Sequence, residues 1–195
     1  VIEITDDADA LRSASEVSDA WMKRTQCTQR ELSILTRPPV FKPEPRTRKF
    51  ASICADRMVG VGFFDPLCFE HPEEGYVYQI IRERPEAPDG TRTHLLLHVA
   101  DLLSDEGVKF LSLGLAPLSL QTMEPFLHSA WTRRLLKFSQ QWPWYNFAGQ
   151  AFYKSRFGGD EKPVFVATRS AFPLRLLWGL VCESGIARTH WSQVL

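Results

Sequence analysis

GYVYQIIRERPEAPDGTRTHLLLHVADLLSDEGVKFLSL, residues 75–113, reads as a strand, a turn-rich loop, an amphipathic helix and a second strand. In Gly75–Arg82, Tyr76, Tyr78, Ile80 and Arg82 alternate, which predicts that all four share one side of a β-strand. The prolines and glycine of 85–90 break the chain. Thr91–Glu106 then sets Leu95, Leu96, Val99, Leu102 and Leu103 on one apolar stripe, and Gly107 ends it. Val108–Leu113 is short and apolar, the pattern of a buried strand.

Upstream, Val1–Ile4 fits a short strand, and Asp9–Arg24 has helical spacing at Leu11, Val17, Ala20 and Trp21, with Asp7 or Asp9 as a cap. Glu31–Thr36 reads as a strand. Residues 37–49 form a loop with four prolines and five basic side chains. Phe50–Ala55 and Met58–Phe64 flank an Asp56-Arg57 turn, a hairpin pattern. Downstream, Thr122–Phe138 and Asn146–Phe157 read as helices, Pro163–Thr168 as a strand, and a further helix is expected after Pro173. A hairpin that feeds a strand–loop–helix–strand unit predicts an α/β fold, a mixed sheet with helices on both sides. This order is similar to the acyl-CoA N-acyltransferase (GNAT-like) fold, in which the strands before and after the helix splay and substrate enters the gap.

The chain has 195 residues, 44% of them hydrophobic and 24% charged, which suits one domain with a sizeable core. Its 23 basic and 23 acidic side chains cancel, so only local clusters could attract a polyanion. Cys27, Cys54, Cys68 and Cys182 are widely spaced without a CxxC pair, as expected of thiols in a reducing compartment. The opening VIEITDDADA has neither the charge nor the apolar run of a signal peptide. The apolar tract Ala171–Cys182 is too short to cross a bilayer and contains Pro173 and Arg175. A cytoplasmic location, free or peripheral to a membrane, is the expectation. Because residue 1 is not Met, the chain is expected to begin within a longer protein, with residues 1–30 as a linker or helix from a preceding half.

Several positions are candidates for chemistry. FLSLGLAPLS at Phe110–Ser119 and NFAGQAFYKSRFGG at Asn146–Gly159 suggest a strand end opening into a cleft, with a cation delivered from a neighbouring helix. Lys154 emerges from a partly apolar helix face, where desolvation lowers a lysine pKa and suits it to developing negative charge. Arg82, at a strand end, could pair with a carboxylate or phosphate. Arg156 points elsewhere on its helix, to water or to a phosphate. The 87–91 loop precedes a helix N-terminus, but Asp89 would repel a phosphate there. His94 and His98 have metal-compatible spacing on a polar, solvated helix face, and no third ligand converges, so no metal is expected. The clusters Arg37, Lys42, Arg46, Arg48, Lys49 and Arg133, Arg134, Lys137 could contact phosphates, with Trp131, Phe138, Trp142, Trp144 and Tyr145 nearby. No Ser-His-Asp or Cys-His arrangement is legible.

LGLAPLS at Leu113–Ser119, YKSRF at Tyr153–Phe157, the strand ending at Arg82 and A-P-x-G-T at Ala87–Thr91 together resemble the C-terminal domain of phosphatidylglycerol lysyltransferases, from about Trp21 to Thr168. RELSILTRPPVF, early in the chain, resembles a soluble bacterial branch of that family. The resemblance implies two acetyltransferase-like units in tandem, this chain being the second and a sister domain lying N-terminal to it. It implies transfer of an aminoacyl group from aminoacyl-tRNA to a lipid or other hydroxyl acceptor without cofactor or metal, and no stable DNA binding. It implies Lys154 and Arg82 as catalytic residues sharing one cleft, with Gln79, Gly114, Ala116, Pro117, Ser119, Tyr153 and Arg156 as substrate-binding positions. Lysyltransferases carry an acidic residue three positions before the strand arginine, where this chain has Gln79. A CoA-dependent N-acyltransferase and a non-catalytic half that binds lipid or nucleic acid are the competing expectations.

Overall fold

The structure is a computed structural model that describes residues 1–24, 37–67, 75–116, 134, 147–162, 164, 178, 179 and 182. Helix α1 (Ala8–Arg24) starts where Asp7 accepts hydrogen bonds from the amides of Asp9 and Ala10 at 3.0 and 2.9 Å. A side-chain carboxylate there satisfies amides that lack an intrahelical partner. The buried positions Leu11, Ala14, Val17 and Ser18 recur every three or four residues and form one face.

Strand β1 (Ile2–Glu3) pairs antiparallel with β2 (Arg48–Cys54), which pairs with β3 (Arg57–Leu67). Cys54 stands opposite Arg57, so the hairpin loop is Ala55–Asp56, one residue earlier than the sequence suggested. Both loop residues have positive φ, 48° and 59°. A two-residue hairpin needs that hand to match the strand twist, even without the usual Asn-Gly. Strand β4 (Gly75–Glu83) is antiparallel to β3, and β5 (Phe110–Ser112) is parallel to β4, giving a mixed sheet in the order β1-β2-β3-β4-β5. Helix α2 (Thr91–Asp105) connects the parallel pair.

Two apolar clusters divide the core. Ile4, Leu11, Ala14, Val17, Ala51, Val61, Phe63 and Ile80 form one, between the sheet and α1. Phe50, Phe64, Tyr76, Ile81, Leu95, Leu96, Val99 and Leu103 form the other, beneath α2. Helix α2 lies almost on the β3 backbone. A Cβ at Gly62 would stand 2.6 Å from Leu95 Cδ2, and one at Gly60 2.8 Å from Thr91 Cγ2.

The pairing of β3 with β4 corrects the reading of Tyr76, Tyr78, Ile80 and Arg82 as one continuous face. Phe63 pairs with Ile80 but Phe64 pairs with Tyr78, leaving Gln79 as an extra residue. Such a bulge places two successive residues on the same side. Tyr76 and Tyr78 therefore pack with α2, whereas Ile80 joins the α1 cluster, and Arg82 shares its side because it pairs with Val61.

The basic loop is folded inward at three of its five cations. Arg37 forks onto Asp65 at 2.9 and 2.7 Å and onto Glu44 at 2.9 and 3.3 Å. Lys49, with no exposed surface, donates to the carbonyls of Val40 and Lys42 and lies 2.9 Å from Glu44. Arg48 ties Glu3 of β1 to Glu106 just past α2. Glu31–Thr36, Thr122–Phe138 apart from Arg134, and Pro163–Thr168 apart from Val164 lie outside the described residues, as do Trp131, Trp142, Trp144 and Tyr145.

Candidate active site

Strands β4 and β5 are paired only from Gly75 opposite Phe110 to Val77 opposite Ser112. Past Val77, β4 runs on to Glu83, while the other strand turns away through Gly114, whose φ is 69°. Glycine adopts that angle without the clash a Cβ would bring. The turn keeps position 114 close to β4, since a Cβ there would be 3.6 Å from the Tyr78 carbonyl oxygen and 3.8 Å from Lys154 Nζ. The mouth of the strand gap is therefore built by Tyr78, Gly114, Leu115 and Lys154.

Lys154 comes from helix α3 (Phe147–Ser155), past which the chain turns at Gly158 with φ 63°. Its ammonium donates to the Leu115 carbonyl oxygen at 2.6 Å and lies 5.7 Å from the centre of the Tyr78 ring. Burial removes the ammonium from water and lowers its pKa to about 8. At neutral pH it remains mostly a cation, held by one carbonyl and one ring face, with two further N–H bonds to offer.

The surroundings of Lys154 include a residue that the sequence reading passed over. Arg92, in the first turn of α2, lays its guanidinium 4.8 Å from the centre of the Tyr153 ring and is near enough to Tyr78 for its charge to act on that hydroxyl. Tyr153 meets Phe157 edge-on at 5.3 Å. Burial raises the Tyr78 hydroxyl pKa, and Arg92 opposes that shift. The Arg92 Nε and the Tyr153 hydroxyl are both buried without a hydrogen-bond partner. In the sequence Asp89 and Gly90 dominate the chemistry of that helix start, and Arg92 beside them carries no distinguishing mark except its position. The available signal was a cation two residues after the loop glycine, at the helix end that faces the strand gap.

The expected pairing of Arg82 with Lys154 in one cleft is corrected by the bulge at Gln79. Arg82 is 4% exposed, donates to Ser18 Oγ of α1 and stacks 4.9 Å from the Trp21 ring centre. It faces α1, whereas Lys154 sits by Tyr78 on the α2 side. Gln79 also faces α1. It is 8% exposed, and its Nε2 donates to the Arg37 carbonyl oxygen at 2.8 Å. It therefore fastens the start of the 37–47 loop and does not face Lys154.

Gly114 and Tyr153 do gather around Lys154. Ala116 is half-buried two residues beyond Gly114, and Arg156 is exposed past the end of α3. Pro117 and Ser119 lie outside the described residues. His94 and His98 are exposed, with ring centres 6.4 Å apart. Among the described residues no three metal-ligating side chains converge. Cys54 and Cys182 are free thiols, and Cys27 and Cys68 lie outside the described residues. No helix among the described residues is long and apolar enough to cross a membrane.

A mixed five-stranded sheet with a parallel β4–α2–β5 unit, a helix on each side and a cation at the splayed strands defines an α/β protein. The chain belongs to the family described as phosphatidylglycerol lysyltransferase, C-terminal, whose model matches residues 1–168. It is similar to the structure of L-PGS from Bacillus licheniformis, with 20% identity and a TM-score of 0.64, over 92% of this chain and 52% of that one. The chain thus spans about half the length of that protein. A second similar structure is an aminoglycoside acetyltransferase, meta-AAC0020, from an uncultured soil metagenomic sample, in complex with trehalose. Its identity is 10% and its TM-score 0.44, over 84% of this chain and 90% of that one. No curated protein matches the sequence.

Proposed function

We propose that this domain carries the acyl-transfer site of an aminoacyl-tRNA-dependent transferase whose acceptor is the hydroxyl of a lipid head group. The lipid acceptor rests on the family's name. The observation that carries the chemistry is Lys154, a partly desolvated cation tethered to the Leu115 carbonyl at the mouth of the strand gap.

In this reading the acceptor hydroxyl oxygen attacks the ester carbonyl carbon of the aminoacyl group. A C–O bond to the acceptor forms, negative charge collects on the carbonyl oxygen, and the bond to the ribose oxygen then breaks. The proton of the attacking hydroxyl ends on the departing ribose hydroxyl, so nothing is oxidised or reduced. Lys154 stabilises the oxyanion with the N–H bonds that Leu115 leaves unused, and its placement requires no reorganisation during the step. Removing one such donor typically costs about 10²–10³ in rate. Arg82 serves this reading by fixing β4 to α1 rather than by touching the reacting atoms.

The test compares the wild-type protein with Lys154→Ala and Lys154→Arg for transfer from charged tRNA to phosphatidylglycerol vesicles, with circular dichroism as the folding control. A loss of about 10²-fold or more in folded Lys154→Ala, partly restored by arginine, is expected. A folded Lys154→Ala protein with full activity would overturn the proposal.

A further inference from the structure

The sequence supplies Lys154 with a companion cation in Arg82, which the fold turns to the other side of the sheet. We infer that Arg92 is the second cation of the Lys154 site, and that the two bind the phosphodiester of an anionic lipid head group. The inference rests on the lipid-acceptor reading above and adds to it a residue and the group that residue holds.

Arg92 and Lys154 both lie beside Tyr78, the first near enough for its charge to act on the hydroxyl and the second 5.7 Å from the ring centre. Neither forms an ion pair with a carboxylate among the described residues, whereas Arg37, Arg48, Lys49, Arg57 and Arg84 all do. The stack of Arg92 on Tyr153 fixes the guanidinium plane, and its Nε is sealed without an acceptor. A buried donor left unmade is costly, and so is the buried Tyr153 hydroxyl beside it. A planar, pre-oriented guanidinium suits the forked geometry of a phosphate.

The same surface favours a lipid over a nucleic acid. Leu115, whose carbonyl holds Lys154, is 51% exposed and gives the cation site an apolar edge suited to the first carbons of an acyl chain. A polyanion needs a track of open cations, and Arg37, Arg48 and Lys49 of the basic loop are engaged with carboxylates and carbonyls.

The test is calorimetric titration of the purified chain with dioctanoyl phosphatidylglycerol below its micelle concentration, and separately with tRNA. Wild type should bind the lipid saturably. Arg92→Gln should weaken it about tenfold or more, Arg92→Lys less, and Arg12→Gln, exposed on α1, should leave it unchanged. Thermal unfolding checks each variant, and Arg92→Lys decides the matter if Arg92→Gln does not fold. Lipid binding unchanged in Arg92→Gln but lost in Lys154→Ala would overturn the role of Arg92 and leave the proposed function standing. A loss confined to tRNA would overturn the lipid assignment. Wild type that binds no lipid would overturn both this inference and the lipid-acceptor reading.

Discussion

Tyr78 and Arg82 stand four positions apart on β4 yet project to opposite faces of the sheet, Tyr78 beside Lys154 and Arg82 into the Trp21 and Ser18 side of α1. Unbroken alternation would have put them together. Their separation decides what each substitution on this strand should do.

Arg82→Ala should act first on stability. It removes a stacked, nearly buried side chain and the donor to Ser18, and the expected cost is about 2–3 kcal/mol. Urea unfolding should show a lowered midpoint with an unchanged slope. In the folded protein, transfer should fall much less than in Lys154→Ala.

Lys154 sets a pH dependence. Its pKa in the folded protein is about 8, below the ordinary 10.5, because burial disfavours the charged form. Transfer that needs the cation should therefore decline as pH rises through about 8, and Lys154→Arg should move that decline to higher pH. For stability the sign is opposite. Between about 8 and 10.5 the unfolded chain binds more protons than the folded one, so folding is favoured as pH rises across that window. Rate profiles and unfolding midpoints at pH 7 and 9.5 check both.

Gly75→Ala should pry open the parallel pair. A Cβ there would lie 2.5 Å from the Phe110 carbonyl oxygen, which is backbone and cannot rotate away. A loss of about 2–3 kcal/mol is expected. Amide exchange should speed up along β5 more than along β2.

Lys49→Ala should be among the most damaging changes on the α1 side. It strips Glu44 of one of its two cationic partners and leaves the carbonyls of Val40 and Lys42 short of a donor. Removing one member of a buried pair costs about 3–5 kcal/mol. Burial alone would raise the Glu44 pKa, but Lys49 and Arg37 bring it below the ordinary value. The network's contribution should therefore be present above the ordinary carboxylate pKa and disappear as pH falls through the lowered one. Acid titration of wild type against Lys49→Ala reads this directly.

Much of the architecture was legible because it depends on periodicity. The Leu95–Leu103 stripe, the hairpin around Asp56 and the Asp7 cap are local patterns, and the structure places them within a residue or so. Lys154 was legible because a lysine among aromatic and small residues is conspicuous. Two things were not. A bulge depends on which residue of the neighbouring strand stands opposite, and Gln79 carries no mark that it is the extra one. Arg92 looks like an ordinary first-turn residue until Tyr153, more than 60 positions later, folds beneath it. The basic loop misled for a similar reason. Its carboxylate partners Asp65 and Glu106 come from β3 and from beyond α2.

The single surplus residue at Gln79 gives one strand two addresses. Even-numbered residues before it face α2, and even-numbered residues after it face α1. Deleting one residue between Tyr78 and Ile80 would reverse the parity of everything downstream, carrying the arginine across to the tyrosines and exchanging a structural anchor for a third positive charge at the gap.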